Sequence, residues 1–304
     1  MSRKPARIRT GLPAWILSLP LVWMLLFLVA PFAIAAKISL SRSALAQPPY
    51  EPSFDWSAGV ADWMERATQF SFDAYAGLFA DTIYLDAYLS SLRIAALSTL
   101  CALLIAYPFA LSIAHAKGVL RPVLFVLAVA PFWTSFLIRV YAWIGILKDE
   151  GLLNHALIWL GLIEEPLQIF ATDIAIVIGI VYSYLPFMIL PIYVALEKQD
   201  AALLEAAADL GASPWRAFVQ VTLPLSLPGV LAGCLLVFIP AVGEFVIPDL
   251  LGGSDTLMVG RTMWVEFFDN RDWPAASAAA ILLLLVLLVP LRIYDRLQTA
   301  EERT

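Results

Sequence analysis

Cysteine, histidine and charged residues are scarce in this chain of 304 residues, which has two cysteines, two histidines and a charged fraction of only 14%. Cys101 and Cys234 lie in apolar runs without a metal-binding spacing around them, which favours packing over a disulfide or a metal site. His115 and His155 are isolated from other candidate ligands. The sequence therefore predicts no metal centre and no catalytic residue.

Two further patterns are missing. The chain contains no Gly-x-x-x-x-Gly-Lys-Ser/Thr sequence, the loop with which many ATPases hold nucleotide phosphates, so we expect that it does not hydrolyse ATP by itself. The formal net charge is -6, and without a basic patch the sequence argues against nucleic acid as a partner. No segment alternates apolar and polar residues in the manner of a membrane barrel.

Apolar sequence is abundant. Hydrophobic residues make up 61% of the chain, well above the roughly half that is usual in soluble domains, and a helix of about 20 apolar residues crosses a bilayer core. Six stretches have that length: 15–36, 87–114, 122–147, 172–196, 227–247 and 275–291. The sequence predicts an all-α integral membrane protein, with one six-helix domain over 15–296 between tails at 1–14 and 297–304.

Positive charges decide the predicted orientation, because cytoplasmic loops of membrane proteins are enriched in lysine and arginine. With the amino terminus inside, the cytoplasmic segments hold Arg3, Lys4, Arg7, Arg9, Lys117, Arg121, Lys198, Arg216, Arg292, Arg296 and Arg303. Both termini are then cytoplasmic, and the outer loops are acidic. A basic start before an apolar run is also typical of a secretion signal, but residues 15–36 are longer than usual for one, and we expect them to remain as the first span.

The loop at 197–226, between the fourth and fifth stretches, predicts two helices joined by a turn. Residues 201–210 are mostly alanine and leucine, which are strong helix formers. Gly211 follows where a helix is expected to end. The Ser-Pro pair at 213–214 suits the cap and first turn of a second helix over 215–222. We call residues 198–222 the knob.

This loop resembles the permease subunits of ATP-binding-cassette importers. Their signature is Glu-Ala-Ala, three residues, Gly, nine residues, Ile, one residue and Leu-Pro. The residues that match at this spacing are Glu205, Ala206, Ala207, Gly211, Leu223 and Pro224, with Val221 in the isoleucine position. In that family the knob is a coupling helix that docks into a groove of a separate ATPase. An ordinary amphipathic connector is the alternative interpretation.

Further segments resemble the spermidine/putrescine permeases of the same family. They are residues 131–143, 145–148, 179–187, 190–193, 237–248, 250–253 and 266–274. The resemblance implies a bacterial inner-membrane assembly with an ATPase dimer that binds ATP and Mg, a second homologous permease as heterodimer partner, and a periplasmic polyamine-binding protein. It implies no cofactor in this chain itself.

A polyamine is a flexible cation with several amines, so its path needs carboxylates and aromatic faces in place of water. Glu244 is the main candidate, since a carboxylate in the outer part of the fifth stretch is costly in lipid. Either a structural ion pair with Arg139 or Arg93, or a substrate or gate role, fits it. Further path candidates are Trp133, Tyr141, Tyr184, Phe245 and Asp249. Aromatic residues also suit packing, and Asp249 also suits a solvated loop.

Other functions stay open at this point. Putrescine, spermidine or a different small solute each fit an ATP-driven importer. A secondary carrier would be expected to show inverted repeats, and a passive channel would need a selectivity filter. We find neither pattern in the sequence.

Overall fold

The computed structural model describes residues 14–54, 59, 64–66 and 68–301, and for 14–17 and 297–301 the backbone only. The basic residues predicted in the amino-terminal tail, and Arg303 in the carboxy-terminal tail, lie outside the described residues. Within the described part the fold is helical except for a hairpin of two short antiparallel strands, β1 (Arg42–Ser43) and β2 (Tyr50–Glu51). The all-α prediction is confirmed.

The helices are labelled in chain order. They are α1 (Ala14–Met24, the π-helical turn Leu25–Val29 and Ala30–Ser39), α2 (Asp73–Ala80), α3 (Thr82–His115), α4 (Leu120–Val129, followed by the 3-10 turn Ala130–Trp133), α5 (Phe136–Leu147), α6 (Leu152–Trp159), α7 (Asp173–Glu197), α8 (Ala201–Asp209), α9 (Pro214–Ala217, the π-helical turn Phe218–Thr222 and Leu223–Val242), α10 (Val246–Leu251), α11 (Val259–Trp264, followed by the π-helical turn Val265–Asp269) and α12 (Trp273–Glu301).

Five helices of the described chain are long and apolar enough to cross a membrane, and they belong to α1, α3, α7, α9 and α12. A sixth span exists if the bent pair Leu120–Trp133 and Phe136–Trp159 counts as one. With that pair counted as one span, the prediction of six spans is confirmed. The ends of two predicted spans were misplaced. Helix α3 begins at Thr82, before the predicted start at residue 87, and α12 continues to Glu301, beyond the predicted end at residue 291.

The third apolar stretch is broken, which corrects the expectation of one spanning helix over 122–147. Its two parts meet at an angle of 94°. Pro131 lacks an amide hydrogen, and Thr134 leaves the helical conformation with φ -102° and ψ 150°. The Thr134 hydroxyl donates to the carbonyl oxygen of Pro131 at 2.9 Å, so part of the interrupted backbone bonding is replaced by a side chain.

The fifth stretch begins earlier than predicted. The second knob helix was expected to end near residue 222, but α9 runs without interruption from Pro214 to Val242. A proline inside a helix removes one backbone hydrogen bond and crowds the carbonyl of the preceding turn. Here the π-helical turn Phe218–Thr222 ends two residues before Pro224. The wider turn accommodates the proline, so the second knob helix continues into the span without a break.

Helices α7 and α9 pack closely through glycines. A Cβ atom at Gly229 would lie 2.5 Å from the Cβ of Ala195 and 2.6 Å from the carbonyl oxygen of Pro191. One at Gly233 would lie 2.8 Å from the Met188 sulfur. Small residues allow such close approach between helices in a membrane. The knob connects the carboxy-terminal end of α7 to the amino-terminal end of α9. The residue Glu244 lies just beyond the carboxy-terminal end of α9.

Candidate functional site

The first knob helix, α8, is capped at both ends. The Asp200 carboxylate accepts the Ala202 amide at 3.0 Å. At the other end Gly211 has a φ of +79°, a left-handed conformation that glycine adopts without strain. The amides of Gly211 and Ala212 then donate to the carbonyl oxygens of Ala208 and Ala207 at 2.9 and 3.0 Å, respectively. These two hydrogen bonds close the carboxy-terminal end of α8 and confirm the prediction that the helix ends at Gly211.

The start of α9 also follows the prediction. The Ser213 hydroxyl accepts the Arg216 amide at 3.4 Å, and Pro214 occupies the first turn. The Gln199 side chain donates to the carbonyl oxygen of Thr222 at 3.0 Å. This bond ties the start of the knob to its end.

The knob presents apolar side chains outside the bundle. Leu210 is 89% exposed and Trp215 is 71% exposed. The signature residues Glu205, Ala206 and Gly211 are exposed as well, as are Leu223 and Pro224 at the start of the span, while Ala207 is half-buried. A rigid, capped and partly apolar projection of this kind is suited to docking against another protein.

At the opposite end of α9, the helix stops at Val242 and the chain turns through Gly243, Glu244 and Phe245 before α10 begins. The Glu244 carboxylate is 8% exposed. It accepts the amides of Val246 at 3.0 Å and Ile247 at 3.4 Å through Oε1, and the Tyr184 hydroxyl donates to Oε2. The carboxylate therefore caps α10 and bonds α7.

The ion pair with Arg139 or Arg93, one of the two alternatives considered for Glu244, is not formed. Within the described chain, the salt bridges formed at up to 4.0 Å join other residues and leave the Glu244 carboxylate without a cation. Tyr184 and two amides satisfy it instead, because the chain break brings free amide hydrogens next to it. Neutral donors thus take the place that a cation would fill in the ion-pair alternative.

The turn at Glu244 is packed tightly against α11. A Cβ atom at Gly260 would lie 2.4 Å from the Gly243 carbonyl oxygen and 2.5 Å from that of Glu244. We expect Gly260→Ala to push this turn away and to destabilise the protein by about 1–3 kcal/mol. Gly243→Ala is the matched control, since its Cβ would meet only a Leu283 methyl group at 3.8 Å. Thermal unfolding of both purified variants in detergent measures the difference, and equal midpoints would contradict the steric explanation.

Glu244 lines an open cleft of about 550 Å³. Its other lining residues come from the region of the α4–α5 break, from α7, and from the turn between α9 and α10: Phe132, Phe136, Arg139, Ser183, Tyr184, Phe187, Pro240, Gly243, Phe245 and Val246. The ring centroids of Phe132 and Phe187 are 4.9 Å apart, and those of Phe187 and Tyr184 are 6.2 Å apart. A strip of aromatic rings therefore leads away from the carboxylate.

The family description "Binding-protein-dependent transport system inner membrane component" matches residues 106–300, which include the knob, the cleft and the last four apolar stretches. The chain belongs to this family. The permease is thus a multi-pass inner-membrane protein, and the resemblance found on the signature from Glu205 to Pro224 is confirmed.

Individual relatives are also similar to the permease. The spermidine/putrescine transport system permease protein PotB of Salmonella typhimurium (strain SL1344) is 45% identical over 75% of this chain and 79% of its own length. PotB of Escherichia coli (strain K12) is 44% identical over 75% of this chain and 82% of its own length. Similarity at this level extends well beyond the knob.

A solved structure shares the fold. A bacterial alginate ABC transporter, in complex with an alginate pentasaccharide-bound periplasmic protein, contains a chain that superposes with a TM-score of 0.71 at 18% identity. The match covers 96% of the permease and 95% of that chain. The permease therefore has the same fold as that transporter chain.

The structure separates the predicted path residues into two groups. Glu244, Tyr184 and Phe245 line the cleft. Trp133 and Tyr141 do not, and they are 74% and 58% exposed. Asp249 does not line the cleft either, and it forms a salt bridge with Arg261 at 3.3 Å.

Phe132, Phe136, Ser183 and Phe187 line the cleft but were not among the predicted site residues. The sequence held one signal for Phe187, since residues three apart on a helix share a face and Phe187 follows Tyr184 at that spacing. Phe132 and Phe136 flank the break before α5, which the sequence did not predict. Their place in the cleft depends on that bend.

Proposed function

We propose that the permease is the transmembrane subunit of an ATP-driven importer that moves putrescine or spermidine into the cytoplasm. The observation that carries the proposal is the 44–45% identity with spermidine/putrescine permeases over 75% of this chain. The family match over residues 106–300 includes the residues that line the cleft as well as the knob. The same identity fits both polyamines.

The chemistry of the cleft supports a cationic cargo. An ammonium group that leaves water needs oxygen acceptors and aromatic faces. Glu244 supplies a carboxylate without a cation, and Tyr184 and Phe187 supply rings beside it. A polyamine ammonium would bond the carboxylate in place of the Tyr184 hydroxyl, and its methylene chain would lie along the aromatic strip.

The knob is the proposed contact for the ATPase dimer, which would bind ATP and Mg outside this chain. Its exposed Leu210 and Trp215 support docking. The proposed assembly also includes a second homologous permease and a periplasmic polyamine-binding protein on the outer side, and both termini of this chain are cytoplasmic. The knob then transmits ATPase closure through α9 towards Glu244.

Uptake by reconstituted complexes tests the function. Radiolabelled putrescine is loaded onto the binding protein outside proteoliposomes that contain both permeases, with ATP inside. We expect uptake with the intact ATPase, and uptake lost when the ATPase is omitted or carries a substituted phosphate-loop lysine. Uptake that continues unchanged without the ATPase, driven by an ion gradient, would rule the proposal out.

Competition identifies the cargo class. Excess unlabelled putrescine or spermidine should suppress uptake, whereas neutral and anionic solutes should not. Suppression by an anionic solute alone would assign the importer to another cargo.

A further inference from the structure

Arg139 is a cation without an acceptor in the cleft. Its Nε and Nη1 atoms are buried and have no hydrogen-bond partner within the described chain. Its guanidinium carbon lies 5.9 Å from the centroid of the Phe136 ring. An arginine side chain carries five N–H donors and no acceptor of its own, so these buried donors can be satisfied only by an acceptor from another group. Arg139 is therefore available to an acceptor that approaches within the cleft.

Glu244 presents the complementary case in the same cleft, a carboxylate bonded only by neutral donors. Burying two opposite charges separately costs more than burying them as a pair. The cleft can therefore receive a cation at the Glu244 carboxylate. The Arg139 guanidinium is a second cationic group, and it belongs to the lining of the same cleft.

Both side chains lie beside breaks in their helices. Arg139 follows the extended backbone at Thr134 and is in the first turn of α5, where its amide donates to Ser135 at 3.2 Å. Glu244 lies in the turn between α9 and α10. Helix breaks absorb rotations of short segments, so in the proposed cycle rotation at these two breaks would bring the two groups together.

We propose that Arg139 is the internal competitor that displaces the cargo from Glu244, an inference that rests on the proposed function. An ammonium occupies the carboxylate while the cleft is open to the binding protein. When the helices switch, the Arg139 guanidinium forms the ion pair with Glu244 and the ammonium loses its acceptor. The carboxylate then holds a cation again, and the cargo is free to leave.

Ser183 adds a second acceptor for the cargo. Its hydroxyl oxygen is buried and has no partner within the described chain, and the residue is 3% exposed. It lines the same cleft one residue before Tyr184. An ammonium in the cleft can donate to this hydroxyl as well as to Glu244, which gives the cargo a place to lie before the arginine replaces it.

A double-mutant cycle tests the competition. Complexes in nanodiscs are loaded with radiolabelled putrescine, ATP is added, and the rate of cargo release is measured. We expect Arg139→Gln to slow release about tenfold, a coupling of ordinary size between two sites, and Arg139→Lys to restore it. In a Glu244→Gln background, Arg139→Gln should have no further effect. An equal slowing in both backgrounds, or none in the native background, overturns the proposal.

Cross-linking keeps the proposal testable if Arg139→Gln does not assemble. Cys101 and Cys234 are replaced by serine, and Ser135→Cys, one turn before Arg139, and Gly243→Cys, beside Glu244, are introduced so that both charges are kept. A short bifunctional thiol reagent should join them more in cargo-free complexes trapped with vanadate than in cargo-loaded resting complexes. Equal yields in both states overturn the proposal. Loss of ATP-driven uptake by the native complex would instead overturn the proposed function.

Discussion

Glu244→Gln is expected to reduce polyamine uptake by roughly tenfold to a hundredfold, because a hydrogen bond to a charged group contributes about 1.5–3 kcal/mol. Glutamine keeps the shape of the side chain. Its carbonyl oxygen can still accept the amides of Val246 and Ile247, so the turn and α10 should remain folded. Uptake by reconstituted complexes, with assembly followed by co-purification, separates transport from folding.

Glu266→Gln is the matched control for that experiment. Glu266 also accepts a tyrosine hydroxyl, that of Tyr84 at 2.8 Å, but it follows α11 and does not line the cleft. The same loss of charge there should leave uptake close to the native rate. If both variants transport equally well with unchanged polyamine preference, Glu244 is not part of the path.

The second large effect is expected at the knob. Gly211→Val places a β-branched side chain at a φ of +79°, which costs roughly 1–2 kcal/mol and displaces the turn between α8 and α9. No atom lies within 4 Å of the new Cβ position, so the effect acts through the backbone conformation. We expect the permease to insert normally and the ATPase to be lost from the purified complex.

Gly118→Val provides the comparison. Gly118 has a φ of +59° and no atom within 4 Å of a Cβ position, and it lies in the loop between α3 and α4 instead of the knob. Backbone strain is therefore similar while the docking surface is intact. Retention of the ATPase by both variants would show that the knob does not bind it.

The two regions are linked by one helix. The continuous segment from Pro214 to Val242 has 29 residues, which corresponds to about 43 Å of helix. Its contacts with α7 at Gly229 and Gly233 leave no room for a side chain, so we expect α7 and α9 to move together. In the proposed importer, displacement of the knob would reach both residues of the Tyr184–Glu244 bond.

Local rules were sufficient for the knob. The stop at Gly211 and the cap at Ser213 each depend on the residues within one helical turn, and both were predicted from the sequence. The continuity of α9 was not predicted, because it depends on a π-helical turn that accommodates Pro224. A proline signals an interruption, and its neighbours do not reveal how the backbone will absorb it.

The sequence by itself determined the membrane class, the apolar stretches, the knob and the resemblance to importer permeases, because hydrophobic length, helix capping and motif spacing are properties of short segments. Tertiary structure alone decided the partners of Glu244. Tyr184 is 60 residues away along the chain, and the bend before α5 sets where Phe132, Phe136 and Arg139 lie. Contacts between distant segments depend on how the helices break and pack. The neutral partners of Glu244 and the unbonded side chain of Arg139 could therefore be seen only in the folded chain.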